Sequence, residues 1–315
     1  MAILLIHGGA GTIAERYQAA YEAGLETALA AGAAALTGGA QEGRSAALAA
    51  VLAAVTSMES NEEAFNAGVG GALTRDGVAE LDACVMVSHA APGTRAGAVA
   101  GVTNTRNPIL LADLVRRTTP HVLLIGPGAE ALVEEPVENS VLLTAKSRAS
   151  LERWRVGNEG DLEQPIDPQR AGSQAGSNTV GAVALDDEGN LAAATSTGGR
   201  TGQWSGRVGD APIPGLGTYA DEHVAISCTG KGEAFMEAAT AARLAAALHA
   251  GRELGEATQQ ALDDVARLDG DGGLIAVTAR GQLVVAFNSP AMAYGVAVGG
   301  ELESEVGRSP KVDVR

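Results

Sequence analysis

Thr179–Thr197, TVGAVALDDEGNLAAATST, decides the reading of this chain, together with GRVGD at Gly206–Asp210. The stretch predicts a β-hairpin. Thr179–Leu185 is strand-like, Asp186–Asn190 is an acidic, Gly-containing turn, and Leu191–Thr197 is strand-like again. Pairing Leu185 with Leu191 across the turn sets the register, and Thr179 then stands opposite Thr197. Directly opposed residues share a face of the sheet, with Cβ atoms about 5 Å apart. Two hydroxyls therefore meet at the open end of the hairpin, and Arg207 and Asp210 follow within thirteen residues. The packing of a core hairpin does not require that arrangement; a reactive site does.

The 315 residues are enough for one large or two ordinary domains. Apolar residues make up 46% and charged residues 19%, the balance of a chain that folds around a core. Aromatics are only 3%, so small side chains favour closely apposed layers. A net charge of −16 argues against nucleic acid or an anionic membrane surface as a partner, since both are bound by Lys and Arg. Cys84 and Cys228 lie in apolar, strand-like runs and read as buried free thiols of a reducing compartment. The apolar run Ala2–Ile6 is too short for a signal peptide or a span, and no later run reaches about 18 apolar residues. The expected location is cytoplasmic.

Ala2–Ile6 is predicted as a buried strand leading into His7-Gly-Gly-Ala-Gly-Thr12. Helices are expected at about Ala14–Leu36, Gly43–Met58, Pro108–Arg117, Ser147–Arg155, Glu233–Ala250 and Leu254–Arg267. Strands are expected at Glu80–Ser88, Gly97–Thr103, His121–Gly126 and Val224–Cys228, with a second hairpin from Leu274–Thr278 and Gln282–Phe287. Val156–Asn178 has no periodicity and is rich in Gly, Pro, Ser, Gln and Asp. A structureless segment of that length is either functional or a linker. The tail after Leu302 is polar and predicted to be loose. Antiparallel hairpins combined with long small-residue helices fit a layered arrangement, two sheets face to face with helices outside.

Several local motifs have more than one reading. Gly9–Ala14 matches the dinucleotide fingerprint GxGxxG/A, but the acidic residue expected about 20 positions on falls in an Ala-rich helix. His7-Gly-Gly resembles the oxyanion loop of esterases, yet the chain has no G-x-S-x-G. A tight strand-to-helix turn is the simplest account of those glycines. The histidines His7, His89, His121, His223 and His249 form no HxxxH, HxH or CxxC cluster, which argues against a catalytic zinc site; any metal would be a hard cation held by oxygens. Thr179 is a weak nucleophile unless a base adjoins it. A Thr at a chain N-terminus has its own α-amine, of pKa about 7.7–8.0, as that base. Thr179 reaches that state only if the Asn178–Thr179 bond breaks, and the long segment ending at Asn178 is what such a cut needs. From spacing alone a merely structural Thr179 is the simpler reading.

The stretches His7-GGAGTI, Phe65-NAGVG, Glu80-LDACVM, Thr179-VGAVALDDEGNLAAATSTGG, Gly206-RVGDAPIPGLGTYAD and Ser227-CTGKGE run through nearly the whole chain in order. Together they resemble the plant-type L-asparaginases and isoaspartyl peptidases, N-terminal nucleophile (Ntn) hydrolases related to the lysosomal glycosylasparaginases. The resemblance implies a four-layer αββα sandwich of two antiparallel sheets flanked by helices. It implies a single domain, 1–315, cut at Asn178/Thr179 into an α chain 1–178, ending in a flexible linker from about 156, and a β chain 179–315. Thr179 would attack and Thr197 would hydrogen-bond it. The Thr229 hydroxyl and Gly230 N–H would form the oxyanion hole. Arg207 would clamp the substrate α-carboxylate and Asp210 its α-ammonium; a mutual i,i+3 salt bridge is the simpler reading of that pair. Asn66 would brace the nucleophile.

No cofactor is implied for catalysis. A structural sodium would be held by backbone carbonyls of Glu59, Glu62, Phe65, Ala67 and Val69, although Met58-ESNEEAF is one residue longer than the usual pattern. The residue before the nucleophile is usually Gly in the plant-type group and Asp in the lysosomal group; here it is Asn178. The implied activity is hydrolysis of β-aspartyl dipeptides and L-asparagine by a homodimer of αβ units. A glycosylasparaginase, or a non-catalytic binding protein on the same fold, is the alternative. The lysosomal group tends to carry Asn where this chain has Gly198.

Overall fold

The computed structural model describes residues 1–39, 43–89, 93–157 and 179–315. Along the chain run β1 (Ile3–Gly11), α1 (Gln18–Thr37), α2 (Ala46–Glu59), β2 (Leu81–Val87), β3 (Ala96–Val102), α3 (Pro108–Thr118), β4 (Leu123–Ile125), α4 (Gly126–Glu130), α5 (Ala145–Gly157), β5 (Val180–Leu185), β6 (Leu191–Thr197), β7 (Thr218–Ala220), β8 (Val224–Gly230), α6 (Gly232–Glu237), α7 (Thr240–His249), α8 (Leu254–Ala266), β9 (Gly272–Thr278), β10 (Leu283–Phe287), β11 (Ala291–Val298), β12 (Glu301–Gly307) and β13 (Lys311–Val314). Among the described residues no helix is long and apolar enough to cross a membrane.

The strands form two sheets, one ordered β12-β11-β1-β5-β6-β2-β3-β4 and one ordered β13-β10-β9-β8-β7. Period-2 alternation sorts their side chains. Ile3 and Leu5 of β1 and Val183 of β5 join a core that also holds Ile275 and Val277 of β9 and Val285 of β10. Leu4 and Ile6 point the other way, into a core with Leu25 and Leu29 of α1 and Val51 and Val55 of α2. On the second sheet, Ile226, Leu274 and Ala276 pack with Phe235, Leu244 and Leu262 of α6, α7 and α8. Burial of each large side chain contributes roughly 1.5–3 kcal/mol.

Five expectations are corrected. The sheets are not wholly antiparallel: β3 and β4 pair in parallel, because α3 forms the crossover that a parallel pair needs. His7-Gly-Gly is not a turn. β1 continues to Gly11 through a bulge between His7 and Gly9, held by pairing with Ala291–Tyr294 of β11. The Ala-rich helix from Glu233 to Ala250 is two helices, broken where Ala239 takes φ 49° and the buried Thr240 hydroxyl bonds the Phe235 carbonyl. The polar tail is two strands, β12 on β11 and β13 on β10. β12 is a charged edge, and its composition imitates a loop. α5 extends to Gly157, two residues into the segment read as irregular; Asn178 and the rest of that segment lie outside the described residues.

Glu59, the last residue of α2, is fully buried. It accepts from the Ser196 hydroxyl at 2.6 Å, Ile109 N–H at 3.0 Å and Asn107 Nδ2 at 3.2 Å, tying α2 to α3 and β6. Burial pushes its pKa up to about 8 against these hydrogen bonds, so the carboxyl is protonated in the folded protein near neutrality. A folded pKa raised above the unfolded one gives stability that is complete at low pH and is lost as pH climbs from about 4.5 to about 8. Glu59→Gln, which cannot ionise, is expected to flatten that decline by a few kcal/mol, on the order expected from linkage. Urea melts of both proteins from pH 5 to 8 check it; parallel curves would refute the protonated carboxyl.

Candidate active site

The hairpin register is the expected one. Leu185 pairs with Leu191 and Val180 with Ser196. Thr179, one residue before β5, donates its hydroxyl to Thr197 Oγ1 at 3.1 Å. Both threonines are buried. Thr197 Oγ1 also accepts the Gly199 N–H at 3.0 Å.

Asn66 reaches this pair indirectly. Its Oδ1 accepts the Ala72 N–H at 2.6 Å and its Nδ2 donates to the Gly199 carbonyl at 2.7 Å. Its own carbonyl accepts the Gly198 N–H at 3.0 Å. Asn66 therefore clamps the Thr197–Gly199 turn rather than Thr179 itself.

His7 is a component that the sequence reading missed. Its Nδ1 lies 3.1 Å from the Thr179 carbonyl and its Nε2 2.9 Å from Ser227 Oγ, which is 2.8 Å from Thr195 Oγ1. Desolvation of the fully buried ring lowers its pKa to about 3, against the hydrogen bond to Thr179 that raises it. The neutral ring must donate from Nδ1, because a carbonyl only accepts. Nε2 then accepts from Ser227, whose oxygen accepts from Thr195. The Thr179 backbone is thus fixed by a relay between the two sheets.

Across from the hairpin, β8 brings Thr229 and Gly230 opposite Gly273 and Gly272 of β9. Among the described residues, Thr229 Oγ1 is buried without a hydrogen-bond partner, and so is Asp210 Oδ2. A buried polar atom left unpaired costs about 1–3 kcal/mol. Thr229 lies two residues beyond Ser227, the β8 residue that contacts His7 and Thr195, and its unpaired hydroxyl and the unpaired Asp210 carboxyl oxygen are polar groups a ligand would satisfy.

Arg207 does not pair with Asp210. Its Nε and Nη2 contact Glu233 Oε1 at 3.1 and 3.0 Å. That leaves the far edge of the guanidinium for another partner. Gly232 is squeezed between the two groups: a Cβ there would stand 2.9 Å from both Arg207 Nη2 and Asp210 Oδ1. Burial raises the Asp210 pKa to about 7, with Arg207 opposing. Asp82 of β2, opposite Thr197, is raised to about 7 for the same reason, again with Arg207 opposing in part. One guanidinium stands among three carboxyl groups, so the surroundings are rich in negative charge and suit an ammonium, and the remaining edge of Arg207 is the one point that can take a carboxylate. Glu233 and Asp82 were legible only as single charges within otherwise apolar or glycine-rich motifs.

Two of the five carbonyls expected to hold a sodium in the loop after α2, those of Phe65 and Glu59, accept hydrogen bonds within the protein. Lys146 of α5 donates to the Ala64 and Phe65 carbonyls at 2.9 and 2.8 Å, and desolvation lowers its pKa to about 8. The Glu59 carbonyl accepts the Val69 N–H at 2.8 Å.

A family model described as asparaginase matches residues 1–306. The chain is 42% identical over 305 residues to the isoaspartyl peptidase of Salmonella typhimurium, spanning 94% of this chain and 96% of that one. It is 44% identical over 242 residues to the isoaspartyl peptidase of Escherichia coli, 74% of each chain. It is 37% identical over 257 residues to an Arabidopsis thaliana protein named probable isoaspartyl peptidase/L-asparaginase 2, 74% of this chain and 77% of that one. The matched region takes in the threonine hairpin and every strand of both sheets before β12, and ends within β12, so the chain belongs to the asparaginase family.

Proposed function

We propose that this chain is a self-processing isoaspartyl peptidase and L-asparaginase with a four-layer αββα Ntn-hydrolase architecture. The observation that carries the reading is the Thr179–Thr197 hydroxyl pair at the start of β5, together with Thr229 Oγ1 and Asp210 Oδ2, buried without partners among the described residues. In the precursor, Thr179 Oγ attacks the carbonyl carbon of Asn178. The C–N bond breaks, the acyl group passes to oxygen, and water hydrolyses the ester. The products are an α chain 1–178 and a β chain 179–315 with a free α-amine.

That amine then takes the Thr179 hydroxyl proton while Oγ attacks the β-carbonyl of the substrate. The Thr229 hydroxyl and Gly230 N–H receive the developing oxyanion. The leaving amine takes the proton back, and water splits the β-aspartyl-Thr179 ester to give aspartate. Arg207 and Asp210 read the α-carboxylate and α-ammonium of a free amino-acid head, which a residue inside an ordinary peptide lacks. Asn66 and His7 act as positioning residues, one on the Thr197 turn and one on the Thr179 carbonyl.

The plant-type reading is favoured over a glycosylasparaginase at Gly198. A Cβ there would stand 2.6 Å from Ala72 N and from the Gly71 Cα. An Asn at that position has no room. The five-carbonyl set expected for a sodium would share its Phe65 carbonyl with the Lys146 ammonium. No step is assigned to a sodium. A homodimer of αβ units is part of this proposal.

Intact mass under denaturing conditions tests the processing step. Assays with β-aspartyl-leucine, L-asparagine and the N-acetylglucosaminyl-asparagine conjugate test the substrate class. Two fragments meeting at 178/179, with turnover of the first two compounds, is the expected result. A stable 31.6 kDa chain that hydrolyses none of them would overturn the reading.

A further inference from the structure

Away from the threonine site, three side chains converge that the spacing of histidines did not suggest. Asp221 and His223 sit in the turn between β7 and β8, and His249 is the last residue of α7. One ligand atom from each lies within 4.8 Å of the others. His249 Nε2 is 2.8 Å from Asp221 Oδ2. The His223 and His249 rings meet edge-on, with centroids 4.6 Å apart and planes at 61°.

The carboxylate is held in place before any ligand arrives. Asp221 Oδ1 accepts the His223 and Val224 N–H groups at 2.8 and 3.0 Å, and Oδ2 accepts the Tyr219 hydroxyl at 2.9 Å. Hydrogen-bonded carboxylates of this kind orient the ligands of metal centres. Asp221 is buried while both histidines are exposed, so the cluster has a fixed base and an open face for water.

A simple ion pair accounts for Asp221 and His249 but not for the second imidazole. Two imidazoles beside one carboxylate are a donor set for a borderline divalent cation, whereas hard cations prefer oxygen alone. Around a tetrahedral ion with bonds of about 2.1 Å, ligand atoms stand roughly 3.4 Å apart.

The geometry points to a divalent transition-metal site at Asp221, His223 and His249, of the class filled by Zn²⁺ or Ni²⁺, completed by water. Such an ion clips the β7–β8 turn to the end of α7. Thr229 lies five residues beyond Val224 on β8, roughly 17 Å along the strand. The site is therefore structural and independent of the hydrolytic reaction.

Titration calorimetry of tag-free protein with zinc chloride, and separately with nickel chloride, in a non-coordinating buffer is the test. The wild type is expected to bind one ion per chain and to melt at a higher temperature with the ion present. The His223→Ala/His249→Ala double variant is expected to lose at least about 100-fold in affinity and the melting shift, and Tyr219→Phe about 10-fold. Both histidines are solvent-facing, so the double variant keeps its fold, and hydrolytic activity equal to wild type confirms that. No binding by the wild type, or a double variant that keeps more than a tenth of the affinity, overturns the site.

Discussion

Thr179→Ala is expected to yield a chain that neither cuts itself at 178/179 nor turns over β-aspartyl substrates. Both reactions begin with the same oxygen. The hydroxyl at 3.1 Å from Thr197 Oγ1 attacks its own preceding carbonyl in the precursor and the substrate carbonyl afterwards. Removing a covalent nucleophile whose partners act as a unit costs on the order of 10⁴-fold or more. The fold survives the change. Thr179 precedes β5, and Thr197 Oγ1 keeps the Gly199 N–H, so the stability loss is that of one hydrogen bond, about 1 kcal/mol. Thr179→Ser, which restores the hydroxyl, recovers both processing and hydrolysis in part. Denaturing mass spectrometry and a β-aspartyl-leucine assay on the two variants measure this. Residual cutting at the same bond in the alanine variant would disprove the nucleophile assignment.

The threonine pair was legible because its geometry is local. A period of two and one acidic turn set the register from Leu185 and Leu191 outward, and the hydroxyls follow from it. Arg207 and Asp210 were legible as residues but not as a pair, since the ion pair Arg207 makes is with Glu233 in the first turn of α6. His7 was hidden for a related reason. Its partners Thr179, just before β5, and Ser227, on β8, are far away in sequence. Only the sheet order β1-β5-β6 and the facing β8 bring them together. The break at Ala239 and the strands of the tail are also tertiary effects: one is a left-handed residue without a glycine, the other a charged edge strand that finds β11. His223 and His249, separated by β8, α6 and most of α7, meet by the same kind of packing and match no linear motif.

Arg207→Ala is expected to self-process normally and yet lose hydrolysis of β-aspartyl-leucine and L-asparagine by about 10²–10³-fold in kcat/KM, the scale of leaving a buried charge partner unpaired. The two activities separate because the scissile bond of the precursor has no free α-carboxylate, whereas every small substrate brings one to the guanidinium. Glu233 already holds Nε and Nη2, so the remaining edge of the fork is oriented before substrate arrives. The loss has a second component. Arg207 is the group that opposes the burial of Asp210, whose pKa stands at about 7. Asp210 must be ionised to hold an ammonium, so kcat/KM of the wild type rises with pH through that range. Without the guanidinium the Asp210 pKa moves higher, and the rising limb moves to higher pH with it. Arg207→Lys keeps a positive charge without the planar fork; it is expected to return the pH profile toward wild type while KM stays high. Steady-state kinetics from pH 6 to 9 on the three proteins separate these effects. An Arg207→Ala enzyme with wild-type kcat/KM would remove the carboxylate clamp. An unshifted pH profile would remove the coupling to Asp210 and leave the clamp standing alone.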